Sequence, residues 1–325
     1  MPSLSDAISD AGRGARATVV ILGTGGTIAG TSARAGDNVG YTAAQRSVQD
    51  LLAAVPALAA PGAPAIEAEQ LAQLDSKDMD HATWLALAQR VQLVLARPEV
   101  AGVVITHGTD TLEETAWWLH SVLATPKPVV LTAAMRPATA LAADGPQNLL
   151  DAVTVAATPG VQGVLAVLAG QVFGALGLRK AHTYRPDAFT AGDGGPIAVV
   201  EEGRLRPFRP WPVAAGRGAA ALPADPQAWP WVEIVASHAG ARGDGVRALV
   251  AAGVRGLVVA ATGNGTVHRE LEAALAQAQA AGVVVWRSTR CADGVLIGAV
   301  AEAAGAAAAL SPWQARVALM LSLMG

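Results

Sequence analysis

The sequence predicts an α/β protein with two domains, each built on a largely parallel sheet flanked by helices. Short runs rich in β-branched residues alternate with longer stretches of helical spacing, as in βα units. The short runs are apolar on both faces, which indicates strands buried between two helix layers. The chain has 325 residues, 52% of them hydrophobic and 15% charged, which is enough for a sizeable core and for two domains.

The first half of the chain carries four predicted strands. Apolar side chains at helical spacing between Trp84 and Leu95 predict a helix before the second strand. The strands are predicted at Ala17–Leu22, Val100–Thr106, Pro128–Ala134 and Gly163–Ala169, and two further helices at Leu112–Leu123 and Asn148–Ala157. A further segment, Val172–Leu178, is expected to end as a strand just before Lys180.

Residues 207–230 interrupt this alternation. They are rich in Pro and Gly without periodicity, which predicts a linker between domains at 17–206 and 231–325. Beyond the linker, strands are predicted at Val232–Ser237, Gly256–Ala261 and Val283–Ser288, and helices at Asp244–Ala252, Thr266–Ala281 and Pro312–Leu323. In the last helix, Trp313 is expected to share a face with Val317, Met320 and Leu321.

Charge and cysteine content exclude several classes of function. Lys and Arg number 23 and Asp and Glu number 26, so the net charge of −3 argues against nucleic acid as the main partner. The single cysteine, Cys291, excludes an intrachain disulfide and a cysteine zinc site, and we expect a buried or partly buried free thiol.

The amino terminus predicts a cytoplasmic protein. Residues 1–16 are rich in Gly, Ser and Asp and carry acids where a signal peptide has a basic region, so we expect a loose leader. No run of about 20 apolar residues occurs elsewhere, which predicts that the chain does not span or bind a membrane.

A glycine-rich turn, GTGGTIAG at Gly23–Gly30, follows the first strand. A dinucleotide fingerprint requires a third Gly where Ile28 stands, and a phosphate-binding P-loop requires Lys where Thr31 stands. What remains is a turn that offers two hydroxyls, Thr24 and Thr27, at the ligand-binding edge of the sheet. A plain strand-to-helix turn with a capping Thr is an equal alternative.

The second strand leads into THGTDTLEETA, which places Thr109, Asp110 and Thr111 at the same predicted edge. One interpretation is an N-cap, with Asp110 or Thr111 capping the helix and Glu113 or Glu114 in its first turn. The other is that two hydroxyl-bearing turns after neighbouring strands face one crevice, which indicates a binding site.

A threonine hydroxyl is a weak nucleophile and requires activation. The sequence offers no Ser-His-Asp arrangement and no metal-ligand spacing of its histidines, so Tyr41, Asp110 and Lys180 are the candidates. A desolvated Lys can act as a base, because burial lowers its pKa. From the residues alone, a surface role for Lys180 is the simpler interpretation.

Five motifs together resemble the bacterial-type L-asparaginase family. They are ILGTGGTIAG followed by Tyr41, DSKDM, ITHGTDTLEETA, PVVLTAAMRPATALAADGPQNLLDA, and the carboxyl-terminal GNG with VVVWRSTR. The resemblance runs in order from about Ala17 to Leu323, and the motifs are similar in form to the type II branch. It implies a larger N-terminal asparaginase domain that carries the catalytic threonines and a smaller, flavodoxin-like C-terminal domain.

The resemblance implies hydrolysis of L-asparagine to L-aspartate and ammonia through an acyl-enzyme intermediate, without metal or organic cofactor. Thr27 matches the nucleophile, bonded to Tyr41, and the matching second set comprises Thr109, Asp110 and Lys180. Asp110 also grips the α-amino group of the substrate. The other matches are Ser76 for the α-carboxylate, backbone N–H groups near Thr109 and Ala134 for the oxyanion, and Asn264 from the C-terminal domain.

The resemblance leaves the substrate range and the assembly open. It implies a homodimer or homotetramer, and a mixed asparaginase–glutaminase or a related amidase stays possible in place of a strict asparaginase. A non-catalytic amino-acid-binding homologue is disfavoured, because both hydroxyl sets are present. A subunit of a tRNA-dependent amidotransferase is disfavoured because no basic excess would bind tRNA.

The sequence departs from the family at two places. Lys77 stands where members often have Gln or Glu. A lysine that faces the substrate would repel its ammonium, and the alternatives are that Lys77 points away or contacts the substrate carboxylate. Neither Glu302 nor Asp293 aligns with the Glu that a neighbouring subunit commonly supplies. Several other residues are expected to be structural: His107 by hydrogen bonds, Arg136 by fixing its loop, and Trp84, Trp117, Trp118 and Trp313 as core or interface anchors.

Overall fold

A computed structural model describes residues 17–34, 36–213 and 216–325. Within these ranges the strands are β1 (Thr18–Gly25), β2 (Thr31–Ser32), β3 (Tyr41–Thr42), β4 (Ala65–Leu74), β5 (Val100–Thr106), β6 (Pro128–Thr132), β7 (Gly163–Leu168), β8 (Gln171–Gly174), β9 (Arg179–Lys180), β10 (Phe189–Thr190), β11 (Ala198–Glu201), β12 (Arg204–Pro207), β13 (Val232–Ala236), β14 (Gly256–Ala261) and β15 (Val284–Thr289). The helices are α1 (Val48–Ala53), α2 (His81–Leu95), α3 (Leu112–Val122), α4 (Gly145–Ala157), α5 (Asp244–Ala251), α6 (Arg269–Ala280), α7 (Ala299–Ala304) and α8 (Pro312–Ser322). The predicted α/β fold is confirmed.

The larger sheet has the strand order β12-β11-β8-β7-β6-β5-β1-β4 and is mixed. Strands β4, β1, β5, β6 and β7 run parallel, whereas β8, β11 and β12 continue the sheet antiparallel. The change of direction follows from chain length. Only Ala169 and Gly170, both with positive φ, join β7 to β8, and a parallel crossover requires a much longer connection.

Strand β4 at the edge of this sheet has no counterpart among the predicted strands. Its sequence, AIEAEQLAQL, consists largely of good helix formers, and most of its residues are half-buried. Pairing with β1 over six consecutive residues overrides that preference. The strand brings the next turn, which carries Ser76, to the carboxyl edge of the sheet.

Helices cover both faces of the larger sheet, as the buried strands predicted. Alternate residues of β1 point to opposite sides: Val20 and Leu22 pack towards α2 and α3, and Val19 and Ile21 towards α1 and α4. Trp84 and Trp118 are buried as expected. Trp313, in the first turn of α8, is 50% exposed and is therefore not part of the core; a role as an interface anchor stays a prediction.

The smaller sheet is parallel, with the order β13-β14-β15. Helices α5 and α6 cover one face with a small core of their own. Helix α8 covers the other face and also contacts the N-terminal half: Leu319 packs near Gly256, and Gln314 donates to the carbonyl of Ala175 at 2.8 Å. One continuous core therefore extends from the larger sheet to the smaller one.

The predicted domain limits, 17–206 and 231–325, stay a prediction. In the linker, residues 208–213 and 216–230 hold neither strand nor α-helix and contain two 3₁₀ turns, Ala219–Ala221 and Pro226–Ala228. The predicted leader at 1–16 lies outside the described residues. None of the described helices is long and apolar enough to cross a membrane. The expected burial of Cys291 was wrong: it is exposed in the irregular segment after β15.

Candidate active site

The first loop of the site forms where β1 ends. Gly25 and Gly26 have φ of 106° and 81°, values that side-chain-bearing residues rarely adopt, and the chain then enters a 3₁₀ turn at Thr27–Ala29. The hairpin of β2 and β3 returns Tyr41 to this turn. Its phenol oxygen lies 2.7 Å from Thr27 Oγ1, and Thr27 is buried. The structure thus brings together the first predicted pair.

Thr24 does not present its hydroxyl as the sequence predicted. Its Oγ1 donates to the carbonyl of Thr106 at 2.9 Å, and the residue is fully buried. Thr24 still belongs to β1, so its side chain lies against a face of the sheet, where its hydroxyl reaches β5, rather than out in the turn. The hydroxyl ties the ends of β1 and β5 together and leaves Thr27 as the hydroxyl that faces Tyr41.

The second loop follows β5 and carries Thr109 and Asp110. The ammonium of Lys180 donates to Thr109 Oγ1 at 2.8 Å and to Asp110 Oδ1 at 2.6 Å. The side chain of Lys180 is 21% exposed and that of Asp110 is 52% exposed. The simpler interpretation of Lys180 as a surface residue was wrong, because β9 directs its side chain into the loop.

Ser76 joins the second loop to the turn after β4. Its Oγ accepts the backbone N–H of Asp110 at 3.1 Å, and its carbonyl accepts the hydroxyl of Thr111 at 2.8 Å. Thr111 is the N-cap residue of α3 by backbone position but makes no capping bond with its side chain. The capping interpretation of the polar cluster is therefore wrong for both Asp110 and Thr111, whose side chains are used elsewhere.

The three loops contact one another through glycines. A Cβ on Gly26 would lie 2.4 Å from Gly108 Cα, and a Cβ on Gly108 would lie 2.4 Å from Ser76 Oγ. Both approaches are too close for any side chain. The residues that precede Thr27 and Thr109 are thus in direct contact, and the two hydroxyl-bearing loops share one edge of the sheet.

Ala134 lies at the same edge, just after β6, and is fully buried. The loop that follows it is held by the carboxylate of Asp144, which accepts the N–H groups of Met135 at 2.9 Å and Arg136 at 3.0 Å. Arg136 also donates to the carbonyl of Ala142 at 2.9 Å, in line with its expected structural role. This loop fixes the backbone around Ala134.

His107 is structural, as the sequence predicted. It is fully buried, with Nδ1 2.7 Å from the Gly108 carbonyl and Nε2 3.0 Å from Thr115 Oγ1, which itself accepts from Trp84. Burial lowers the pKa of His107 to about 4. Near neutral pH the ring is therefore uncharged and fixes the loop that presents Thr109.

Lys77 points towards acids of its own turn. Its ammonium lies 2.7 Å from Asp75 Oδ2 and 3.2 Å from Asp78 Oδ2, and hydrogen bonds with both carboxylates raise the pKa of Lys77. These neighbours screen the charge that would otherwise repel a substrate ammonium. Asn264 holds the loop after β15, since its amide exchanges two hydrogen bonds with the backbone of Ile297.

An open cavity of about 940 Å³ adjoins the charged side of the site. Asp110 and Lys180 form part of its wall, and Arg179, Arg290 and Asp293 add charges from both halves of the chain. Within residues 17–34, 36–213 and 216–325, no group of three His, Cys, Asp or Glu side chains could hold a metal ion. The site is an arrangement of hydroxyl, carboxylate and ammonium groups.

Two residues contact the segment around Lys180 in a way that the sequence did not predict. Glu113 accepts the backbone N–H of Lys180 at 2.6 Å, and Gln314 anchors the chain just before β9 by donating to Ala175 and Leu178. An acid in the first turn of a helix is explained by the helix dipole, so nothing in the sequence singles out Glu113 as a partner of Lys180. Gln314 is separated from its partners by more than 130 residues.

Comparison with known proteins matches both halves of the chain. The family model described as "Asparaginase, N-terminal" matches residues 18–212, and that described as "Glutaminase/Asparaginase C-terminal domain" matches residues 231–324.

Individual relatives match over nearly the whole length. The chain is 35% identical over 318 residues to the glutaminase-asparaginase of Pseudomonas fluorescens biotype A, covering 94% of this chain and 86% of that relative. It is 35% identical to the probable periplasmic L-asparaginase of Haemophilus influenzae, covering 94% and 88%. The crystal structure of a probable cytoplasmic L-asparaginase from Campylobacter jejuni matches with a TM-score of 0.88 at 35% identity, covering 95% of each chain.

Proposed function

We infer that this chain, which belongs to the asparaginase family and hydrolyses L-asparagine to L-aspartate and ammonia, works through a threonine nucleophile and an acyl-enzyme intermediate. One observation carries the mechanism. Two loops in contact each present a threonine hydroxyl bonded to a group that can relay a proton, Tyr41 for Thr27 and Lys180 for Thr109.

In the first step, Thr27 Oγ1 attacks the carbon of the side-chain carboxamide. The hydroxyl proton passes through the hydrogen bond with Tyr41 towards the amide nitrogen, the C–N bond breaks, and ammonia leaves. The negative charge that develops on the carboxamide oxygen is stabilised by backbone N–H groups near Thr109 and Ala134. A β-aspartyl ester on Thr27 results.

In the second step, water attacks the ester carbon and the C–O bond to Thr27 breaks. Lys180, bonded to Thr109 and Asp110, activates Thr109 or the water, and the proton returns to Thr27 Oγ1. L-Aspartate is released. The zwitterionic end of the substrate is held meanwhile, its ammonium by the Asp110 carboxylate and its carboxylate by Ser76.

A mixed asparaginase–glutaminase is the second candidate. It is favoured by the similarity to the Pseudomonas fluorescens glutaminase-asparaginase. Ammonia release measured side by side on asparagine and glutamine decides between the two activities.

The nucleophile assignment is tested with Thr27→Val, which is close to isosteric. We expect turnover of asparagine to fall by a factor of at least about 10⁴, because the attacking oxygen is lost. In Thr109→Val, slowed deacylation is expected to let the aspartyl-enzyme accumulate, visible as an added aspartyl group in intact-protein mass spectrometry.

The control is Thr42→Val, which removes an exposed hydroxyl beside Tyr41. It is expected to keep the parental rate, and all three variants are expected to keep the parental melting temperature within a few degrees. Ammonia release by Thr27→Val at near the parental rate would overturn the nucleophile assignment.

We also propose a cytoplasmic location and self-association as a homodimer or homotetramer. The Campylobacter jejuni relative is described as cytoplasmic and the Haemophilus influenzae relative as periplasmic, so cell fractionation decides the location. The proposed assembly rests on the family resemblance, and Leu141, Val295 and Ile297, which each expose more than half of their surface, are candidate contacts between copies. Light scattering that gives only the 32.7 kDa mass of one chain would contradict the assembly.

A further inference from the structure

A buried carboxylate holds the backbone of Lys180. The N–H of Lys180 donates to Glu113 Oε2 at 2.6 Å, and Glu113 is only 9% exposed. Strands β9 and β10 form a two-stranded ribbon, and the next N–H of the chain, that of Ala181, points towards β10. It donates to the carbonyl of Ala188 at 2.7 Å. Because successive N–H groups of a strand point in opposite directions, the Lys180 N–H faces helix α3 and not strand β10.

One short segment, residues 109–113, therefore binds both the ammonium and the backbone N–H of Lys180. Thr109 and Asp110 accept from its ammonium, and Glu113 in the first turn of α3 accepts from its backbone. Strand β9 has two residues and, among the residues that the structure describes, pairs with the equally short β10 alone, so the sheet itself constrains it weakly. The contact with Glu113 fixes the backbone at Lys180 itself, in addition to the anchor that Gln314 provides just before β9.

We propose that Glu113 is a positioning residue for the reaction: by accepting the Lys180 N–H, it keeps the Lys180 ammonium within hydrogen-bond distance of Thr109 and Asp110. The inference rests on the proposed function, in which Lys180 activates Thr109 or water. A bond to a carboxylate is shorter and stronger than one to a neutral acceptor, and the 2.6 Å separation is of that kind.

The carboxyl of Glu113 ionises near neutral pH. Burial raises the pKa of the Glu113 carboxyl to about 7, against the opposing effect of the Lys180 N–H. Below that pH the protonated carboxyl is the weaker acceptor, and above it the carboxylate is the stronger one. The hydrogen bond from the Lys180 N–H to Glu113 therefore becomes stronger as pH rises through about 7.

Several charged groups face Glu113, and the test has to separate them. Glu114 on the same helix raises the pKa of Glu113, and Arg179 and Lys180 on β9 lower it. From α8, Arg316 bonds to Glu114 at 3.0 Å, and Asp110 lines the same cavity. Glu114→Gln is the matched control, since it changes a neighbouring charge and leaves the Glu113–Lys180 bond intact.

The first measurement is independent of activity. The chain has three lysines, Lys77, Lys127 and Lys180, so labelling with ¹⁵N-lysine gives three backbone amide signals. We expect the Lys180 signal, assigned by its absence in Lys180→Met, to titrate with a midpoint near the pKa of about 7 of Glu113. The Lys77 and Lys127 signals are expected to stay constant across that midpoint, and the Lys180 titration is expected to disappear in Glu113→Gln and persist in Glu114→Gln.

The second measurement is the pH profile of asparagine hydrolysis. The parent is expected to show kcat rising through about pH 7, and Glu113→Gln, which keeps a neutral acceptor, to lose that rise and to fall about tenfold at higher pH. Glu113→Ala, which removes the acceptor, is expected to lower kcat about 100-fold with little change in KM. Thermal melting of each variant shows that the fold is kept.

The outcomes distinguish this inference from the proposed function. If the parent hydrolyses asparagine and Lys180→Met is inactive, but Glu113→Gln keeps both the rate and the rise near pH 7, the positioning role is wrong and the function stands. A Lys180 amide signal that titrates unchanged in Glu113→Gln also overturns it. If the parent releases no ammonia from asparagine, the proposed function fails, and the amide titration still tests the bond to Glu113.

Discussion

The two threonine sets of the site are stabilised by different forces. The set of Thr27 and Tyr41 is an uncharged hydroxyl pair, built on a glycine turn and a short hairpin. The set of Thr109, Asp110 and Lys180 is charged, and its members come from segments about 70 residues apart in sequence. The first set is assembled by local chain geometry and the second by long-range hydrogen bonds.

This difference has a physical cause. A buried hydroxyl pair satisfies itself with one hydrogen bond, whereas a half-buried ammonium requires several acceptors to offset the loss of its hydration. In the second set, Thr109 and Asp110 both accept from the ammonium of Lys180, while in the first set Thr27 bonds to Tyr41 alone. We expect the second set to be the more sensitive to pH and to single substitutions around it.

Among the substitutions that leave both threonines in place, the largest effect is expected from Lys180→Met, which removes the ammonium of the charged set. We expect kcat to fall by about 10³- to 10⁴-fold, the usual contribution of a positioned proton-transfer group. Steady-state ammonia release measures it, with the melting temperature as control for the fold. If kcat fell less in Lys180→Met than in Tyr41→Phe, the uncharged set would be the more sensitive of the two to substitution.

The second effect is a loss of folding stability at low pH, caused by His107, which supports the loop of Thr109. The pKa of His107 is about 4 in the folded protein and near 6.5 in the unfolded chain. As pH falls, His107 therefore takes up a proton in the unfolded chain at a higher pH than in the folded protein. Stability from this residue is fully present above pH 6.5 and is lost as pH falls towards 4, by roughly 3 kcal/mol in all.

Urea unfolding between those pH values checks this prediction. The variant His107→Gln retains a donor for the Gly108 carbonyl and an acceptor for Thr115 but does not titrate. Its free energy of unfolding is expected to fall less steeply with acidification than that of the parent. Equal slopes in the two proteins would show that the buried ring does not control this pH dependence.

A smaller effect is expected from Tyr41→Phe in the uncharged set. The variant keeps the ring and removes the hydroxyl that bonds to Thr27 Oγ1 at 2.7 Å. We expect kcat to fall about 10- to 100-fold with KM nearly unchanged, since one proton-relay bond is lost and the nucleophile stays. A pH profile parallel to that of the parent is expected, because this set carries no charge; a shifted profile would couple the two sets.

The smallest effect is expected from Lys77→Gln beside the charged set. The side chain of Lys77 is 61% exposed and already paired with Asp75 and Asp78. We expect KM for asparagine to fall by less than about fivefold, and the effect to shrink at high salt, as for screened surface charges. A large, salt-independent change in KM would mean that the ammonium of Lys77 contacts the substrate directly.

The sequence allowed some elements of the fold and of the site to be predicted, but not others. It predicted most of the parallel strands and the longer helices, because apolar periodicity is a local signal, and it assigned the residues of both sets through the resemblance to the asparaginase family. It did not predict the short helices α1 and α7. It missed β4, whose helix-forming residues are held extended by pairing with β1. It placed Thr24 in the site, although that hydroxyl bonds to the carbonyl of Thr106.

The sequence by itself determined the α/β alternation, the two hydroxyl-bearing turns and the family likeness, since each depends on residues that are neighbours along the chain. Only the tertiary structure decided that the sheet turns antiparallel after β7, that Lys77 faces its own acids, and that Glu113 holds the backbone of Lys180. These contacts depend on direction and burial. A hydrogen bond between groups 67 residues apart has no signature in either segment until the chain has folded.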